Sequence, residues 1–162
     1  MRKLLSVGLV CLFISLATIP AFARSGTKGN GANESIQDRF VGAWRLAWVE
    51  EPGADGKVHR ADCTGLLVYT RDGHMSVQVM YRNPQAATQA GQVQYAQGGY
   101  EASFGTYIID ERSHRFVFHV DGALVRTLTG KDLPRVYKFS GKQLIVKSPD
   151  PNERWKVAWE HY

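Results

Sequence analysis

The 162-residue chain has only two cysteines, Cys11 and Cys63, and Cys11 sits in the apolar N-terminal run. The part that folds therefore keeps one thiol, which cannot form an internal disulfide, and stability has to come from a buried core. Metal chemistry lacks its pattern, because His59, His74, His114, His119 and His161 show no ligand spacing of the HExxH kind. There is no Gly-x-Ser-x-Gly elbow, no phosphate-cradling glycine loop and no nucleophile motif around Cys63. Neither a metal nor any other cofactor is indicated. Charges alternate in sign without a Lys/Arg cluster, which argues against a nucleic-acid or anionic-membrane surface. No internal repeat and no βαβ rhythm appear, so solenoids and doubly wound sheets drop out.

The N-terminus reads as a targeting segment. Arg2 and Lys3 precede an apolar run from Leu4 to Ile19, Pro20 breaks it, and Ala21-Phe22-Ala23 supplies the small-x-small cleavage pattern. The run is short for a membrane span, which needs about 20 apolar residues. Residues 1–23 are therefore expected to be a secretory signal, leaving no membrane span after its removal. Val10 before Cys11 is too bulky for a lipoprotein signal. Arg2 and Lys3 leave with the segment, so 18 basic against 15 acidic residues give the remainder a charge of +3. Residues 24–35, opening with RSGTKGNGAN, read as a flexible leader. Residues 36–162 remain as one domain of ordinary size.

Within that domain Ser35, Ile36, Phe40 and Val41 predict one or two helical turns ending at Gly42. Beyond it the apolar period is two, the period of strands. Trp44, Leu46 and Trp48 alternate with Arg45 and Ala47. The run Thr64–Thr70 and the alternating Met75, Val77, Val79 and Tyr81 flank a turn at Arg71-Asp72-Gly73. Further strands are expected at Phe104–Ile109, Arg115–Val120, Leu124–Leu128, Arg135–Phe139, Gln143–Lys147 and Arg154–Trp159. Eight or nine short strands predict an all-β antiparallel sandwich or barrel, and a barrel hides every edge. The Ala- and Gln-rich stretch 84–101, opened by Asn83-Pro84, predicts a short helix across one mouth or a lid.

Gly42-Ala43-Trp44 after a short helix resembles the Gly-x-Trp signature of lipocalins. The blocks GAWRLAWVE, GLLVYTRDGHMSVQV, YEASFGTYIID, FVFHV and LPRVYKFSGKQLIV resemble those of the bacterial and fungal lipocalin-like domain family, over about residues 38–160. The resemblance implies a calycin-type β-barrel whose Trp44 seals the closed end, with Gly42 and Trp44 as the structural signature. Most family members have no assigned activity, so the resemblance implies fold more than function. Where the family carries a polar, Pro-containing connection, this chain has DGALVRTLTGKDLP, a more apolar stretch expected to add a strand.

The interior of an eight-stranded barrel is filled by side chains or holds one small ligand. Trp48, Tyr69, Met75, Tyr81, Tyr107, His119, Arg135, Tyr137 and Trp159 are the candidate ligand-binding residues. Each is large or polar and shares a strand face with apolar or aromatic neighbours, and buried polar groups need partners. The competing reading places them on the outer face or in a satisfied internal network. Arg135 weighs most, because its charge cannot be lost. It is expected either to clamp a ligand anion or to stack on Trp44 at the closed end, with Arg154 as its rival there. His119 is a base, a hydrogen-bond donor to ligand, or a satisfied core histidine.

Three functions follow. The first is an exported, periplasmic or secreted binder of a small, mainly hydrophobic molecule, with or without an acidic group. The second is a small-barrel isomerase or cyclase using His119 and Tyr107 for proton transfer. The third is a filled-barrel interaction module of the cell envelope, signalled by a pocket under about 100 Å³, against about 300 Å³ where ligand pockets begin. The binder takes precedence, and oligomeric state stays open.

Overall fold

The computed structural model of the chain describes residues 34–83 and 99–162, and Asn33–Tyr162 forms one compact unit. The expected signal at 1–23, most of the leader, and the expected helix up to residue 98 lie outside the described residues. At Gly99 the chain turns with a φ of +74° and enters a strand at Tyr100.

Helix α1 spans Ile36–Phe40. Ser35 caps it, its hydroxyl accepting from the Asp38 amide at 3.1 Å. The helix stops before Gly42, whose φ of +137° suits glycine, and a Cβ there would lie 2.3 Å from the His161 ring.

Nine antiparallel strands follow: β1 (Gly42–Pro52), β2 (Val58–Ala61), β3 (Cys63–Tyr69), β4 (His74–Tyr81), β5 (Tyr100–Asp110), β6 (Arg115–Ala123), β7 (Asp132–Ser140), β8 (Gln143–Lys147) and β9 (Lys156–His161). Consecutive strands pair from β3 to β9, and β1 bonds both β3 and β9. Eight strands therefore close into a barrel, while β2 is an extra strand on the distal half of β1, pairing Val49 with Ala61 and Pro52 with Val58. Closure leaves the barrel strands without free edges.

Two departures from the expected strands have local causes. The extra strand is VHRA, which carries too little apolar alternation to announce itself. The stretch DGALVRTLTGKDLP adds no strand: β6 ends at Ala123, Arg126–Leu128 is a single 3-10 turn, and β7 begins at Asp132. Leu124, expected to open a strand, stands exposed.

A bulge in β1 decides which side chains enter the barrel. Leu46 pairs with Trp159 but Trp48 pairs with Ala158, so Ala47 is the surplus residue. An extra residue flips the alternation beyond it. Trp44 and Leu46 join the core, then Val49 and Glu51 take the inner positions, and Trp48 is turned out of the barrel.

One end of the barrel is plugged. Phe40 is fully buried, with its ring centroid 4.9 Å from Tyr137, 5.0 Å from Tyr69, 5.4 Å from Phe139 and 5.7 Å from Phe116. The edge-on geometry of these contacts suits the aromatic quadrupoles. Trp44 donates its indole N–H to the Phe40 carbonyl at 2.8 Å and seals the same end, as expected of the signature.

Candidate functional site

The inner faces of the strands enclose a cavity of about 400 Å³, within the usual range of ligand pockets. That volume is well above the roughly 100 Å³ below which a filled barrel would be favoured. Tyr69 and Phe116 form its floor, since each touches Phe40 on one side and the cavity on the other. Val49, Leu67, Val77, Val79, Phe118 and Val157 supply apolar walls, and Val125 and Leu128 from the β6–β7 connection also line it.

Five polar side chains interrupt this lining: Glu101, Ser103, Thr127, Arg135 and Glu153. Arg135 pairs with Phe116 in the β6–β7 ladder and so shares its inward face. Its guanidinium lies 5.1 Å from the centre of the Trp155 ring and donates to the Pro134 carbonyl at 2.9 Å. Among the described residues it forms no ion pair. Burial pushes its pKa down, and Glu153 and Tyr69 push it back up. Neither force discharges an arginine at ordinary pH, so a half-buried cation stands against the cavity.

Glu101 and Ser103 lie on β5 opposite Val79 and Val77 of β4. Burial raises the Glu101 carboxyl to about pKa 7, opposed by a hydrogen bond from Ser103. Its Oε2 is buried and has no hydrogen-bond partner. Beside the cavity a second carboxyl, Glu51, is buried with Tyr81, whose hydroxyl donates to it. Burial raises the Glu51 pKa as well. The half-buried Cys63 thiol is pushed up to about 12, chiefly by burial and then by Glu51 and Asp62, so it is unreactive at ordinary pH.

Of the candidate residues, Tyr69, Met75, Arg135 and Trp159 meet around the cavity. The others do not. Trp48 is a correction: the β1 bulge puts it outside, with the Arg60 guanidinium 5.2 Å from its ring centre. His119 is another. Phe118 and Val120 on either side of it point inward, so its own side chain points out, about half exposed. There it meets Asp132 at 2.7 Å and Asp121 at 3.8 Å. Tyr107 and Tyr137 are buried but belong to the plug rather than the cavity. Tyr107 donates to the Thr70 carbonyl at 2.9 Å and accepts from Gln37 at 3.0 Å. Tyr81 is engaged with Glu51 and does not line the cavity.

The isomerase or cyclase reading fails with this placement, because His119 and Tyr107 lie on opposite sides of the barrel wall. The expected stacking of an arginine on Trp44 fails too. His161 occupies that position at 4.2 Å, Arg135 stacks on Trp155, and Arg154 donates to the Gly56 carbonyl at 2.9 Å. Reasoning from the sequence missed Glu101, Glu153 and Trp155. The alternation Glu101, Ser103, Gly105, Tyr107 could have found the first of them.

Among the described residues no group of three His, Cys, Asp or Glu side chains could hold a metal ion, and no helix is long and apolar enough to cross a membrane. The chain has no match among curated proteins. A family profile described as the lipocalin-like domain matches residues 41–160, nearly the whole closed barrel. The chain thus belongs to the lipocalin-like domain family, whose barrel is a fold suited in general to binding a small ligand.

Proposed function

We propose that the protein is exported through its N-terminal segment to the periplasm or beyond, and holds one small, mainly apolar molecule whose acidic group lies against Arg135. The observation that carries this reading is the Arg135 guanidinium, without an ion pair among the described residues, against a mainly apolar cavity of about 400 Å³. A half-buried charge without a counter-ion carries a desolvation cost, and a ligand carboxylate would offset that cost through charge-assisted hydrogen bonds.

Magnitudes support a role for the charge. Burying about 300 Å² of apolar ligand at ~25 cal/mol per Å² contributes roughly 7.5 kcal/mol. Association entropy removes at least about 4, leaving millimolar affinity. A hydrogen bond to a charged group adds about 1.5–3 kcal/mol, which brings Kd to roughly 20–200 μM. The cavity has about the volume of a dozen water molecules at ~30 Å³ each, so it suits a ligand of about that many heavy atoms.

The test is a titration with octanoate, followed by NMR on the methyl groups of Val77, Val79 and Val157. Saturable shifts in those methyls that Arg135→Ala weakens about tenfold or more are expected. No shift in any of them, with octanoate or with neutral octanol, would overturn the reading.

A further inference from the structure

We propose that Glu101, with Ser103, forms a second polar subsite of the cavity that takes the protonated amine of a ligand. The inference rests on the small-molecule reading above and adds a chemical class to it: an apolar body carrying a primary amine.

The first ground is geometric. Glu101 lines the cavity, and its Oε2 is buried without a hydrogen-bond partner, as are Glu51 Oε2 and the Tyr137 hydroxyl, neither of which lines it. Buried carboxyl oxygens are almost always bonded, so an orphan oxygen on a side chain that lines a cavity marks a place for a donor. Ser103, two residues along on the same strand face, lines the cavity beside it.

The second ground is charge. Opposite Glu101 on β4 stands Val79, and the β6–β7 connection presents Val125, Thr127 and Leu128 to the cavity. Arg135 and Glu153 line the same cavity, but neither acts on Glu101; burial and the Ser103 hydroxyl alone set its state. Residues 84–98, which join β4 to β5, contain no Asp, Glu, Lys, Arg or His, and Tyr95 is their one titratable side chain. Among the described residues no cation pairs with this carboxyl. Glu153 acts electrostatically on Arg135 without forming an ion pair, whereas among the described residues no cation acts on Glu101. A cationic donor fits such a group better than a neutral hydroxyl, which leaves the charge unbalanced.

Amine binding has a proton signature. With the carboxyl titrating near pH 7, about half of the free protein carries a proton there, and an arriving ammonium group drives that proton into solvent. Binding of octylamine at pH 7 is expected to release up to about half a proton per site, and octanol none.

The experiment titrates the full chain with octylamine, octanol and octanoate at pH 7 and follows proton release in weakly buffered solution. Octylamine should bind about tenfold or more tightly than octanol. Glu101→Gln should abolish both that advantage and the proton release, while changing octanoate affinity less than about threefold. Octylamine binding no tighter than octanol, or without proton release from the unaltered protein, overturns the subsite while octanoate binding leaves the Arg135 reading standing. If none of the three ligands binds, the small-molecule reading fails and the subsite fails with it. The proton measurement needs no variant, so a misfolded Glu101→Gln cannot hide the answer.

Discussion

The guanidinium of Arg135 stacks 5.1 Å from the centre of the Trp155 ring and finds no carboxylate to pair with among the described residues. Trp155 in turn donates its indole N–H to Glu153 at 3.2 Å, so the aromatic shelf beneath the cation is itself tethered. Cation–π contact recovers part of the desolvation cost, about 0.5–2 kcal/mol. The remainder is available to a ligand anion.

On the proposed reading Arg135 is expected to contribute to binding and not to folding. Arg135→Met keeps the length of the side chain and removes the charge. The melting temperature is expected to stay level or rise, because well-packed apolar replacements of buried charges are often neutral or stabilising. Octanoate affinity should fall about tenfold or more over the same substitution. Parallel loss of stability and affinity, followed by thermal unfolding and titration, contradicts the ligand role and makes Arg135 structural.

The plug contains a flaw that can be measured. Tyr137 is buried beside Phe40 and its hydroxyl has no hydrogen-bond partner. A buried unsatisfied hydroxyl costs about 1–3 kcal/mol. Tyr137→Phe is therefore expected to stabilise the barrel by about 1 kcal/mol in urea unfolding, without changing cavity binding. Destabilisation shows that the hydroxyl is bonded in solution.

Glu101 makes stability depend on pH. Its carboxyl titrates near 7 in the folded barrel against an ordinary 4.5, so between those values the folded state binds more protons than the unfolded one. Stability is then highest below about pH 4.5 as far as this group is concerned, falls as pH rises, and levels off above 7. The full effect is up to about 3 kcal/mol. Glu101→Gln should flatten that share of the slope in urea titrations from pH 5 to 8. The Glu51 carboxyl, also raised, pushes the same way and leaves a residual slope. An unchanged slope in the variant shows that Glu101 is not desolvated.

His119 should prove dispensable. Its pairing with Asp132 is on the outer surface with both partners well exposed, and exposed pairs contribute about 0–1 kcal/mol. His119→Ala is expected to leave octanoate affinity unchanged and to shift unfolding by less than about 1 kcal/mol. A large fall in affinity contradicts the outward placement.

These placements show which parts of the molecule the sequence carries openly. Period-two alternation placed the strands correctly at Met75, Val77 and Val79 and again at Val157 and Trp159, although the expected start at Arg154 lies two residues before β9 begins. It misled at Trp48, because the surplus residue Ala47 has no signature in composition and reverses everything after it. His119 could have been read correctly, since it alternates with Phe118 and Val120, yet a histidine within an aromatic block drew attention to chemistry over geometry. Tyr107 and Tyr137 face inward as alternation requires. Alternation says nothing about height along the barrel axis, and these two tyrosines stand at the plugged end. Height comes from the register of neighbouring strands and from α1 folding Phe40 over that end, both of which are long-range properties.

The central claim is that the cavity holds a small molecule. Native mass spectrometry of the protein purified from its own host, followed by denaturing extraction, tests it most directly. The account predicts one small molecule per chain, released on denaturation, with an apolar body and an acidic or amine group. A chain that emerges empty, and that takes up neither octanoate nor a hydrophobic fluorescent probe afterwards, contradicts it.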